Sequence, residues 1–353
     1  MERRRPRTDA ESQEAAFAPP TIRSIADTGL PLSYLVDMVL KLLYYRESGI
    51  TGLEISDAIR LPFVGVLDQV MDFLRQEHFC EVKGSGGLGQ SSYQYSLAER
   101  GMGRAREILE QDMYVGPAPV TLDQYTAVMK RQSLRKVIVH RRHMLQALGH
   151  LVLNDRTIDQ VGPAVNSGRS IFLFGPPGNG KTEICEAIGR IVAEEVLYIP
   201  YAIVVERQLI RVFDPVSHKP ADTEDKPAPP ALDRRWIQIQ RPLVSVGGEL
   251  TLTTLDLVFD PISKTYEAPF QMKANGGMFH IDDFGRQLIR PADLLNRWIV
   301  PLEKKKGSTA KVAILLSPDQ RVAYPGCSLA IEAHRQVCYA CVCDQIADCG
   351  PRR

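Results

Sequence analysis

The stretch SIFLFGPPGNGKTEICEAIGR, residues 170–190, limits what this chain can fold into more than any other. Ile171 to Phe174 is a short apolar run of the kind buried in a parallel sheet, and Thr182 to Ala193 reads as a helix. Between them, Gly175, Pro176, Pro177, Gly178, Asn179, Gly180, Lys181 and Thr182 match the pattern G-x-x-x-x-G-K-[ST] in full. Glycines let such a loop curl so that consecutive backbone N–H groups point at one spot, and the helix N-terminus adds its positive end there. That arrangement holds phosphate. The pattern assigns Lys181 to the β and γ phosphates and the Thr182 hydroxyl to a Mg²⁺ ion.

A second acidic site is needed to complete the metal shell and orient water, and GGMFHIDDFG supplies one. Met278 to Ile281 reads as a strand that ends in Asp282 and Asp283. Asp283, Phe284 and Gly285 also spell a kinase motif, but no kinase-type catalytic loop precedes them, so that match is a coincidence.

Together the glycine loop and the strand ending in two aspartates resemble the AAA+ ATPases over roughly residues 140–305. The resemblance implies an α/β fold, a P-loop NTPase core built on a parallel sheet, with ATP and Mg²⁺ as ligands. It implies that Lys181 and Asp283 are catalytic, that Thr182 and Asp282 hold the metal, and that Gly175 to Thr182, with Ser317 as a polar sensor, hold nucleotide. Family members usually carry glutamate where Asp283 stands, so the acid is one methylene short and hydrolysis is expected to be slow. KANGGMFHIDDFGRQ is most similar to the clade with an insertion before this strand, which includes MoxR-like ATPases and enhancer-dependent activators. No GAFTGA loop lies between Ala202 and Lys273, which argues against the activators. The family implies a homo-oligomer and ATP-driven remodelling of a protein partner.

Upstream, Leu35, Met38, Val39, Leu42 and Tyr45 recur at helical spacing, Thr51 and Glu54 make a capping box, and Pro62 opens a helix expected over Phe63 to Arg75. FCEVK, a glycine-rich turn and SSYQYSL then read as a hairpin. This order resembles a winged helix, an α+β domain expected over residues 31–115. Its residues 33–112 hold eight basic and twelve acidic side chains, a net of −4 that argues for docking protein rather than DNA. DNA contact stays open as the weaker alternative.

The remaining divisions follow composition. Residues 1–30 mix charge, Ala, Ser and Pro without period and read as a disordered arm. Residues 116–150 read as a basic helical connector, in which 129–143 carry six cations and no acid, either a solvated face or a contact for nucleic acid or an acidic partner. Residues 151–320 are the nucleotide-binding core. Within it 200–275 form a β-rich insertion, read equally as a substrate-contact element or a structural elaboration.

Beyond Ser317 neither an arginine finger nor a helical lid is recognisable, and residues 321–353 read as an atypical, truncated or frame-altered tail. Arg286, Arg290 and Arg321 are the first candidates for a finger. Five of the seven cysteines, Cys327, Cys338, Cys341, Cys343 and Cys349, crowd into that tail, which favours an adventitious segment over a zinc site. No run of 18 apolar residues and no apolar leader appears, so the expected location is cytoplasmic without a membrane span. A net charge of +1 offers no global field for nucleic acid or membrane.

Overall fold

The structure is a computed structural model that describes residues 17–87, 89–133, 138–151, 155–167, 170–174, 178–221, 232–290, 292–294, 311–316 and 340–343. Local signals build the N-terminal unit. Ser24 and Asp27 form a reciprocal capping box for α1 (Ile25–Thr28), and Gly29 ends it at φ 70°. Ile22 and Leu30, on either side, are buried in the core. The expectation of a disordered arm through residue 30 is therefore corrected from residue 17 onward, because this short capped turn anchors two apolar side chains.

Helix α2 (Leu32–Tyr44) buries a broad apolar face, and β1 (Ile50–Thr51) leads into α3 (Gly52–Ile59) through the Thr51–Glu54 capping box. The next helix is shorter than the spacing predicts. Phe63–Leu67 is an irregular turn with Gly65 at φ 87°, and α4 spans only Asp68–Gln76. Asp68 accepts the Gly65 N–H at 2.9 Å, and the Arg23 carbonyl lies 2.3 Å from where a Cβ at position 65 would stand. The polypeptide at Arg23 thus occupies the place a side chain there would need. Strands β2 (Cys80–Ser85) and β3 (Tyr93–Leu97) form an antiparallel hairpin, β1 pairs with the far side of β3, and α5 (Glu99–Leu109) packs back on α2.

The connector holds β4 (Val120–Thr121), α6 (Leu122–Arg131) and α7 (Arg141–Leu148), followed by α8 (Asp155–Asn166). Then come β5 (Ile171–Phe174), α9 (Lys181–Ala193), β6 (Val196–Pro200), β7 (Ala202–Val205), β8 (Gln208–Arg211), β9 (Trp236–Gln240) and β10 (Leu243–Val246). Strands β11 (Val258–Asp260) and β12 (Thr265–Glu267), helix α10 (Phe270–Lys273), and strands β13 (Met278–Ile281), β14 (Lys311–Leu316) and β15 (Ala340–Cys343) complete the described elements.

The fold is mixed α/β. A five-stranded sheet in the order β10-β13-β14-β5-β15 is parallel at every pairing. Side chains alternate across it. Ile171, Leu173 and Met278 meet Ile184, Cys185 and Ile188 of α9 on one face, while Phe279, Ile281, Val244 and Val246 pack with Leu250 and Phe284 on the other. A second sheet, β11-β12-β8-β7-β4, combines parallel and antiparallel pairs, and β6 pairs with β9.

Two boundaries differ from expectation. Leu243–Val246 falls inside the expected insertion, yet it is an edge strand of the parallel sheet, and Val120–Thr121 of the connector joins the insertion's sheet instead. The expected tail also supplies a strand, since Ala340–Cys343 runs parallel to β5.

One buried ion pair ties the parts together. Arg235 and Asp233 are 1% and 4% exposed at their side chains, and the guanidinium also donates to the Thr28 carbonyl at 2.9 Å and the Pro119 carbonyl at 3.0 Å.

Candidate functional site

In a parallel sheet all strands end on the same edge, and that edge is where α/β proteins bind ligands. The register aligns Phe174 with Leu316 and Ile281 with Ile314, so the loops leaving β5 and β13 emerge together, one strand apart. Gly178 and Gly180 take φ values of 84° and 68°, a backbone region that side-chain-bearing residues rarely adopt. A Cβ at either would meet nothing within 4 Å among the described residues, so the requirement for glycine at these two positions is conformational. Gly180 then caps α9, whose first residues are Lys181 and Thr182.

The decisive contact spans 100 residues: the Thr182 hydroxyl donates to Asp282 Oδ2 at 3.0 Å. Asp282 is held from two further sides. Its own N–H donates to the Val246 carbonyl at 2.9 Å, and its Oδ1 accepts the Asp283 N–H at 2.8 Å. Oδ2 and the Thr182 oxygen thus stand together at the mouth of the loop. Two hard oxygen donors in this position fit a Mg²⁺ ion, which takes few protein ligands and completes its shell with phosphate and water.

Asp283 is different. It adopts φ 48°, a left-handed conformation that costs a residue with a side chain about 1–2 kcal/mol. Its carboxylate is 62% exposed and lies 3.5 Å from Arg286, itself 71% exposed. The turn is clamped by Gln287, which is buried and was not singled out by any sequence motif. Its amide donates to the carbonyls of Asp282 at 2.7 Å and Asp283 at 3.1 Å, and its oxygen accepts the Gly285 N–H at 2.6 Å.

A second polar pair lies behind the site. His280, 1% exposed on β13, meets the Ser245 hydroxyl of β10 at 3.0 Å through Nδ1, and its Nε2 has no hydrogen-bond partner among the described residues. Burial lowers the His280 pKa, against the opposing fields of Asp282 and Glu186. Beside the loop, a cleft of about 610 Å³ runs between α7 and α9, lined by His143, His150, Glu183, Arg190 and Glu194. His150 lies 3.6 Å from Glu183, the residue after Thr182.

Gly175, Pro176, Pro177, Ser317 and Arg321 lie outside the described residues. Arg290 is 82% exposed at its side chain and pairs with Asp293 at 2.7 Å. Among the described residues no cluster of three His, Cys, Asp or Glu side chains forms a metal site, and no helix is long and apolar enough to cross a membrane.

No protein-family model matches the chain, and no curated protein matches it in sequence. Among solved structures, it is similar to part of a complex between subunits BchI and BchD of magnesium chelatase, with 17% identity, a TM-score of 0.30, and coverage of 46% of this chain and 52% of that one. It is also similar to NtrX from Brucella abortus, at 13% identity and a TM-score of 0.27, covering 63% of this chain and 39% of that one. A complex of NtrX with ADP gives 14%, 0.26, 64% and 38%. The chain thus spans about half or less of these structures, and overlaps at this level assign it neither family nor activity.

Proposed function

We propose that this chain is a cytoplasmic AAA+ ATPase that binds Mg·ATP at the edge of its parallel sheet and couples hydrolysis to remodelling a protein partner. The observation that carries the reading is the Thr182–Asp282 hydrogen bond, which joins the glycine loop to the acidic strand end across 100 residues. Lys181 and the backbone of Gly175 to Thr182 would hold phosphates, and Thr182 and Asp282 would hold the metal. Bound Mg²⁺ supplies neutralisation of phosphate charge. Asp283 orients the attacking water and accepts its proton. The N-terminal helices and hairpin, read as a winged helix with a net charge of −4, are the docking unit for the partner; the homo-oligomer that the family forms is expected to assemble poorly from this chain, in which no arginine finger or lid is recognisable.

A second reading, a nucleotide-regulated binding module with little turnover, is favoured by Asp283. It is an aspartate in place of glutamate, and it faces Arg286 at 3.5 Å. Calorimetric titration tests the common part of both readings. Wild type should bind ATP in the presence of Mg²⁺ and Lys181→Ala should lose most of that affinity, since the ammonium replaces much of the phosphate hydration. Equal binding by the two proteins would remove the assignment. Steady-state phosphate release then separates an ATPase from a binding module.

A further inference from the structure

We infer that Gln287 is a positioning residue for ATP hydrolysis, acting by holding Asp283 in its left-handed backbone conformation; this rests on the ATPase reading above. Left to itself, an aspartate following a strand relaxes into the extended or right-handed region, where its carboxylate points elsewhere. Aspartate tolerates the left-handed region better than most residues, yet still at a cost that its surroundings must offset to hold it there. Among the described residues, Gln287 is the side chain that bonds the backbone carbonyls on both sides of this turn. Both hydrogens of its amide are used, one on the Asp282 carbonyl and one on the Asp283 carbonyl, at 2.7 and 3.1 Å. Its oxygen takes the Gly285 N–H at 2.6 Å, where Gly285 itself has φ 100°.

That pattern needs two donors and one acceptor on one planar group, which only an amide of this length offers. Glutamate keeps the shape and the acceptor but has no donor, and its charge would face two carbonyl oxygens. Methionine keeps the length and offers neither. Nucleotide affinity depends on the glycine loop and Lys181, which Gln287 does not touch, and on Asp282, which the Val246 carbonyl and the Thr182 hydroxyl hold in place without Gln287. Its effect therefore belongs to turnover.

The test uses the full chain with four variants: Gln287→Met, Gln287→Glu, Asp283→Ala, and Gln287→Met combined with Asp283→Ala. Each is assayed for phosphate release at saturating Mg·ATP, for ATP affinity by calorimetry and for thermal unfolding. Gln287→Met and Gln287→Glu should each lower kcat about tenfold or more, with the dissociation constant of ATP kept within about threefold. In the Asp283→Ala background, Gln287→Met should produce no further loss, because the group it positions is gone. A merely structural role would instead weaken binding and turnover together, or add its loss to that of Asp283→Ala, and either result overturns the proposal. So does wild-type kcat in both Gln287 variants. If wild type shows no turnover that Lys181→Ala abolishes, the ATPase reading itself falls and takes this role with it, an outcome visible before any Gln287 variant is compared.

Discussion

At Gly277 the chain has no room for a side chain, although nothing in its φ demands glycine. A Cβ there would stand 2.0 Å from the Pro242 carbonyl oxygen, and that oxygen already accepts the Met278 N–H at 2.8 Å. The obstacle is backbone at the start of β10, so it cannot swing aside as a side chain would. Gly277→Ala should therefore push β13 away from β10 and destabilise the fold by about 1–3 kcal/mol, the usual cost of overpacking. Urea unfolding would measure it, and an unchanged midpoint would contradict the close approach. Because β13 carries Asp282, the same variant should weaken the magnesium dependence of ATP binding. Residues of this kind mark the limit of sequence reading. The Thr182–Asp282 contact could be anticipated because each residue sits in a motif defined by its neighbours along the chain, whereas Gly277, Gln287 and the Ser245–His280 pair owe their places to segments tens of residues away, or to a turn with no spacing rule.

At the scale of elements, the capping box at Thr51 and the amphipathic helix α2 could be read directly, since both depend on residues three or four apart. The shortened α4 and the assignment of Leu243–Val246 could not. A short apolar run has the same appearance in an insertion and in a core sheet, and only the parallel pairing with Met278–Ile281 tells them apart. The Arg235–Asp233 pair shows what binds the elements once formed. It joins the segment leading into β9, inside the expected insertion, to α1 through the Thr28 carbonyl and to the segment before β4 and α6 through the Pro119 carbonyl. The Asp233 carboxylate also accepts the Trp236 indole N–H at 3.2 Å. Arg235→Met would leave that carboxylate buried without its cation and orphan two carbonyls, a loss of about 3–5 kcal/mol. Removing both charges, with Asp233→Asn added, should recover part of it. Chemical denaturation of the single and double variants checks the pair: a double variant no more stable than Arg235→Met would show that the lost guanidinium bonds to the two carbonyls, rather than the unpaired carboxylate, carry the effect.

At the scale of the whole molecule, the described residues include two buried histidines whose pKa burial lowers, and this shapes how stability responds to acid. His218 is fully buried. Its Nδ1 accepts the Asp214 N–H at 2.9 Å, which leaves the proton on Nε2, 2.8 Å from the Lys273 carbonyl. Burial lowers its pKa from the ordinary 6.5, the Lys273 carbonyl and Asp214 opposing and the Lys273 ammonium adding to the shift. His280 is shifted the same way, also by burial. A base whose pKa is lower folded than unfolded binds fewer protons in the native state throughout the interval between the two values. The stability tied to it is therefore complete above the unfolded value and is lost as pH falls from about 6.5 toward the folded one, with a slope of at most about 1.4 kcal/mol per pH unit for each histidine. The unfolding midpoint should hold steady from pH 8 to 7 and fall as the pH drops below about 6.5. His218→Gln, which cannot titrate, should flatten that fall by up to one proton's worth while lowering stability at pH 8 through its imperfect fit to the two backbone partners. An acid limb of equal steepness in wild type and in the variant would mean that His218 already accepts a proton in the folded chain, and that its buried tautomer has been read wrongly.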